Sequence, residues 1–355
     1  MKNCIFGLAS AAILLFPLLA CHGKDDPNNG HNVTQMSWDG KARGVYLAGY
    51  EVNIPESTIQ PRLWINGIPQ TTVTPTFALF SSVFVSGDGA YVVGCELSQD
   101  AKYDAALWKN GAGQLLAVNS VPASVFVSGG DVYVAGVKNV DTDNEVAVLW
   151  VNGKETVLGP SGSGANCVTV SNGVSYVAGY EPVNGRDIAM LWVNGAPTRL
   201  GDGTNESVAN SVYVSGEKVY VVGAVVDEGR DMFHTALWEN GAETVLDDEY
   251  TLANSVHVHG NNVYVAGREY VVDRTGEPET SYAVLWANGS KKVLADYAAA
   301  AYSVVVSDGD VYVAGGRPHP RTQWTVGTVW KNNEAPQDVG QEPGSLSQAY
   351  SVYVK

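Results

Sequence analysis

The chain has 355 residues, 45% of them hydrophobic and 16% charged, with a formal net charge of −16. So acidic a chain repels nucleic-acid phosphate and anionic headgroups, which excludes nucleic acid as a partner and leaves membrane contact only to a lipid anchor. Its carboxylates are spread along the chain rather than gathered in an interaction tail, and its apolar content is ample for a buried core.

Residues 1–20 read as a targeting signal: Lys2 gives the positive start, and Ile5 to Leu19 is an apolar run too short to span a membrane comfortably. The run ends in Leu18-Leu19-Ala20-Cys21, which resembles the bacterial lipobox and implies acylation of Cys21. Cys21-His22-Gly23-Lys24-Asp25-Asp26 resembles the export tag of Bacteroidetes surface lipoproteins, which implies a place on the outer face of the outer membrane. Residues 21–36 have no apolar period and read as a flexible tether. Of four cysteines, Cys4 and Cys21 fall in the signal and anchor; Cys95 and Cys167 lie in non-adjacent repeats and are expected to be free, mostly buried thiols.

From residue 37 onward one unit recurs: Ser-Val-x-Val, a Gly-containing turn, Val-Tyr-Val-Ala-Gly, a variable stretch, then Leu-Trp-x-Asn-Gly and a short apolar tail. Its Trp falls at Trp64, Trp108, Trp150, Trp192, Trp238, Trp286 and Trp330, at gaps of 44, 42, 42, 46, 48 and 44 residues. A propeller blade of four short strands takes about 40–45 residues. Ser211–Val214 and Val219–Val222 are β-branched or aromatic, as strands require, and Asn240-Gly241 is a hairpin turn signal. The last repeat departs, with Asn332-Asn333 in that place. The seven Trp residues read as blade packing; Trp324 and Trp38 lie outside the register, and Trp38 is expected to cover the outer edge of blade one.

The first repeat starts at its second strand, Gly44–Gly49, and the chain ends on an orphan first strand, Ser351–Val354. Pairing the two completes blade one and closes the ring, leaving no raw edge. The expectation is an all-β, seven-bladed propeller of four-stranded antiparallel blades in a single domain, residues 37–355, shut by its C-terminal strand. The tandem pattern resembles repeats in propeller lipoproteins of gut Bacteroidetes over residues 43–355, a resemblance that bears on architecture alone. The Trp-Asp ending of WD40 blades, the Asp-box and the kelch double Gly are missing, so no functional residue is carried over.

The first-to-second connections (Ser128–Asp131) and third-to-fourth connections (Asn152-Gly153) are minimal and share one face. The second-to-third connections are expected to be long loops on the other: Val137–Glu145, Ala224–His234, Arg268–Ser281 and Gly316–Val326. Binding residues gather on variable segments held by a rigid scaffold. Residues expected just beyond the second strands, ringing the central opening, are Tyr50 and Glu51, Glu96, Tyr180 and Glu181, Arg268, Glu269 and Tyr270, and Arg317. His319 and Trp324 join them to make blades six and seven the richest sector. Aromatic faces beside carboxylates or Arg suit sugar rings, and equally a protein epitope.

His257-x-His259 imitates a metal pair, but His257 takes the slot of Phe126 and Tyr213, and His259 that of Ser128 and Ser215. Asp308-Gly309-Asp310 lacks the other ligands of a calcium loop. No metal, cofactor or catalytic residue is assigned. The sequence therefore reads as a monomeric surface lipoprotein that binds a glycan or a protein without catalysis. The alternatives are a polysaccharide hydrolase or lyase using rim carboxylates such as Glu51, Glu96, Glu181 and Glu269, and a structural subunit of an envelope complex.

Overall fold

The computed structural model describes residues 38–54, 58–70, 78–98, 101–230, 232–273, 278–340 and 345–355; Cys21, the signal and the tether lie outside them. Seven sheets of four antiparallel strands form the ring. Blade four is typical: Gly164–Ser171, Val174–Val183, Arg186–Val193 and Ala196–Arg199 pair in that order from the axis outward. Blade one takes its innermost strand, Ser345–Val354, from the C-terminus and the rest from Val45–Asn53, Thr58–Ile65 and Ile68–Pro69. The closing register runs from Val45 opposite Val354 to Asn53 opposite Ser345, well beyond the four residues visible as an orphan strand.

The core is divided among the blade interfaces. Each repeat Trp is at most 5% exposed and faces the preceding blade: Trp108 sits with Tyr46 and Leu63 of blade one, and Trp64 with Ala314 and Val329 of blade seven. The Gly of Val-Ala-Gly is needed because a neighbouring chain crosses it. A Cβ at Gly223 would collide with the Val208 carbonyl, and Gly49, Gly94, Gly136, Gly179, Gly267 and Gly315 face the same obstacle. Opposite each lies a bulge in the innermost strand, as at Ala209/Ser211.

Two polar devices repeat around the ring. In each hairpin the Asn has positive φ, and its Oδ1 accepts from a backbone N–H at the start of the second strand, as from Val219 to Asn240 at 2.9 Å. The same bond recurs at Asn66, Asn110, Asn152, Asn194, Asn288 and Asn332, which is why Asn rather than Gly leads the turn, even in the irregular Asn332-Asn333. On the innermost strands, the Ser of Ser-Val-x-Val bridges to the next blade. Its Oγ accepts from the backbone N–H of the following blade's Val at 3.2 Å in six places, from Val125 to Ser82 round to Val83 to Ser351. Cys167 takes the seventh place, and its thiol lies 3.9 Å from the Val212 carbonyl instead.

Trp38 does not cover the outer edge of blade one. It inserts between blades one and two, with Phe80 edge-on at 5.8 Å, because that interface offers an apolar slot beside Tyr46 and Val92. Val137–Glu145 and Gly316–Val326 are loop from residue 139 to 145 and from 319 to 324, but the other two long second-to-third connections are largely strand. The Ala224–His234 stretch is strand up to Asp227 and again from Met232, and Arg268–Ser281 is strand up to Val272 and again from Pro278. Their backbone groups find ladder partners, so these segments project as hairpins rather than open loops.

Candidate functional site

The same continuation of pairing moves the expected rim residues. Tyr50, Glu51, Glu96, Tyr180, Arg268 and Glu269 lie within the second strands paired on both sides, and Glu181 and Arg317 are paired with the third strand alone, so all stand one strand out from the axis rather than beyond the strand on its rim. Several are committed within the chain. Glu51 is 5% exposed and accepts from Arg62 at 2.7 Å and from Ser345 at 2.8 Å. Glu269 meets Lys291 at 3.0 Å, in a cage completed by Asp247 and Glu249. Burial opposes the charge on Lys291, but hydrogen bonds to Glu249, Glu269 and Asp247 outweigh it and push its pKa up. Arg317 pairs with Asp338 at 2.9 Å, while Glu96 and Glu181 are half-buried. His319 closes a turn in which its N–H bonds the Trp324 carbonyl at 2.8 Å; Trp324 is exposed, and no ring contact joins it to another aromatic among the described residues.

Arg268 and Tyr270 belong to a different constellation. The residue before the bridging Ser is the extra residue of each bulge, and it varies: Ser81, Ala123, Asn166, Asn210, Asn254, Tyr302 and Tyr350. The three Asn side chains donate to the next blade's carbonyl, as Asn254 does to Ala301 at 2.8 Å. Tyr302 and Tyr350 stack instead. Tyr350 lies 5.7 Å from Tyr50 and 5.0 Å from Tyr302, and the Arg268 guanidinium sits 5.3 Å from the centroid of Tyr302 and 5.8 Å from that of Tyr270. Tyr270 continues the row to Tyr250 at 5.3 Å and Phe233 at 5.6 Å, with Tyr180 buried behind in the same cluster. The row runs from blade one through seven and six to five, at the long-connection end of the innermost strands.

Electrostatically the row carries one charge. Burial raises the phenol pKa values of Tyr50, Tyr270 and Tyr350, keeping those hydroxyls neutral. Arg268 is half-buried, and among the described residues no carboxylate lies within ion-pair distance of it. Its Nε, the Tyr270 hydroxyl and Gln348 Oε1 are shielded from solvent without a hydrogen-bond partner, whereas Gln348 Nε2 donates to the Tyr302 hydroxyl at 3.0 Å. Unmatched polar atoms of this kind are costly to bury, and two of them, Arg268 Nε and the Tyr270 hydroxyl, belong to one cation–aromatic contact. Sequence reading picked out Tyr50, Arg268 and Tyr270 and missed Tyr302, Tyr350, Tyr250 and Gln348. Lining up the residue before each Ser-Val would have exposed both inner tyrosines.

One carboxyl pair lies elsewhere on this face. The Asp187 pKa is pushed up to about 6, by burial first and by Glu206 second. His257 stacks on Tyr213 at 4.5 Å, as its repeat slot implies, and Asp310 is held by Asn332 and Lys331. The thiol of Cys95 is pushed up to about 12, chiefly by burial, and both Cys95 and Cys167 are free.

No family model matches the sequence, and no curated protein does. Solved structures do match. An acylaminoacyl peptidase in complex with Z-Gly-Gly-Phe-chloromethyl ketone aligns at 13% identity and TM-score 0.51, over 87% of this chain and 52% of that one. The propeller domain of the Trilobed protease from Pyrococcus furiosus, described as having an open velcro topology, aligns at 12% identity and TM-score 0.46, over 75% and 84%. TolB from Acinetobacter baumannii aligns at 9% identity and TM-score 0.43, over 76% and 81%. The chain thus spans about half the length of the peptidase. These likenesses are of fold, and the fold is a seven-bladed β-propeller.

Proposed function

We propose that this propeller is a non-catalytic binding module, displayed at the cell surface by lipid on Cys21, that takes a glycan or protein ligand at the long-connection face. The observation that carries the reading is Arg268, held between Tyr270 and Tyr302 with no carboxylate partner among the described residues. A rigid ring gains nothing in closure from a half-buried cation left without an anion, since such a charge is costly until it is paired. Aromatic and Arg side chains gathered in a partly shielded patch are the composition of binding hot spots. Glu51 and Glu269, two of the carboxylates that a hydrolase would need, are tied up by Arg62 and Lys291.

A panel of immobilised glycans and cell-envelope proteins tests the reading, with wild type compared against Tyr350→Ala. Binding that falls at least tenfold in the variant while its circular dichroism shows the ring still folded supports the site. Equal binding by both proteins removes the site from the function. The hydrolase reading keeps one specific support, the raised carboxyl of Asp187 beside Glu206. It predicts polysaccharide turnover that disappears in Asp187→Asn.

A further inference from the structure

Resting on that reading, we infer that the ligand is an acidic sugar, a glycan whose uronate carboxylate seats on Arg268 while its ring lies against the inner tyrosines. The guanidinium presents a planar fork of donors that matches a carboxylate's two oxygens, and its shielded Nε has nothing else to bond. With the neighbouring phenols neutral, the positive charge is not quenched from within the row.

The groups around it decide between a sugar and a peptide terminus. The Tyr270 hydroxyl can donate or accept, and it is shielded and unmatched beside the same cation. A uronic acid brings its ring oxygen and its C4 hydroxyl close to the carboxylate, together with a C–H face suited to the half-buried Tyr302 or Tyr350 ring. A terminal carboxylate on an apolar peptide supplies the anion and one backbone N–H, but no hydroxyl and no flat C–H face for the tyrosine rings. The chain's net charge of −16 sets a further limit, because a densely charged polyanion is repelled before it arrives. The acidic sugar is therefore a single uronate on an otherwise neutral glycan.

Calorimetric titration of the full chain tests this with four probes: a neutral oligosaccharide ending in one glucuronate, its neutral glucose-terminated counterpart, polygalacturonate, and a short apolar peptide with a free C-terminus. The glucuronate-terminated probe should bind at least tenfold more tightly than the others. Arg268→Met should weaken it about 100-fold, and Arg268→Lys, which keeps charge without the fork, should recover part of that loss. Both variants lose or alter cation–π contact with Tyr270 and Tyr302, so circular dichroism should confirm that each still holds the folded ring at the titration temperature. Equal binding of the neutral probe, unaffected by Arg268→Met, overturns the uronate while leaving a glycan-binding module standing. Preference for the peptide, or no binding of the glucuronate probe, overturns it as well; loss of ligands by Tyr350→Ala on the wider panel then decides the broader reading separately.

Discussion

Two neighbouring levels of the innermost strands behave in opposite ways. At the serine level six of seven positions carry the same residue making the same 3.2 Å bond to the next blade. One residue earlier, at the bulge, the chain has Ser81, Ala123, three Asn and two Tyr, with contacts that differ from blade to blade. The bridging Ser gives a backbone N–H of the next blade its acceptor, a need it meets at six of the seven interfaces. The bulge residue is extra to the ladder and free of that duty, so it can be spent on something local. Asn166, Asn210 and Asn254 stitch blades together; Tyr302 and Tyr350 build the row around Arg268.

The sharpest way to probe the repeated framework lies one layer out. Trp192→Ala, which opens a cavity at a fully buried interface position, should cost about 3–5 kcal/mol in urea unfolding. A loss below about 1 kcal/mol would mean that the blades hold together without their Trp. The comparison itself is tested by adjacent substitutions in blade six. Ser255→Ala leaves the Val304 N–H without its acceptor and should cost about 1–3 kcal/mol, whereas Asn254→Tyr, which installs the residue of blades seven and one, should cost less than about 1 kcal/mol. Equal costs would erase the distinction between the levels.

The effect confined to the narrowest conditions is one of pH, felt only in acid. His257 has its pKa lowered to about 4, chiefly by burial and then by His259. The unfolded chain therefore takes up the proton first as pH falls, so this contribution is whole above the ordinary histidine value and is lost between there and about 4. His257→Phe, which copies the Phe126 slot, should flatten the acid limb of stability in that window and leave neutral pH nearly unchanged. An unchanged acid limb would show that His257 is not the group responsible.

Most of the ring was legible in the sequence because its signals are local. The Trp period marks the blades, β-branched pairs mark the strands, and the two incomplete ends predict their own pairing. The role of the hairpin Asn was half legible: positive φ follows from residue type, but the bond to the second strand depends on where that strand lies. Arg268 and Tyr270 were noticed as residue types without their neighbours. What ties them to Tyr302 and Tyr350 is the lateral approach of separate blades, and nothing in linear spacing encodes it.

Two of the four expected loops, Ala224–His234 and Arg268–Ser281, turned out to be mostly strand for a related reason. Polar, variable residues look like loop, yet Asp227 and Val272 stay in strand because a partner segment lies alongside to satisfy the backbone. The sequence by itself determined the number of blades, the order of strands within them and the means of closure, since each follows from a repeating hydrophobic and turn pattern. Only the tertiary structure decided that Arg268 meets Tyr270 and Tyr302 rather than a carboxylate among the described residues, because that depends on which side chains from different blades come within a few ångströms of one another.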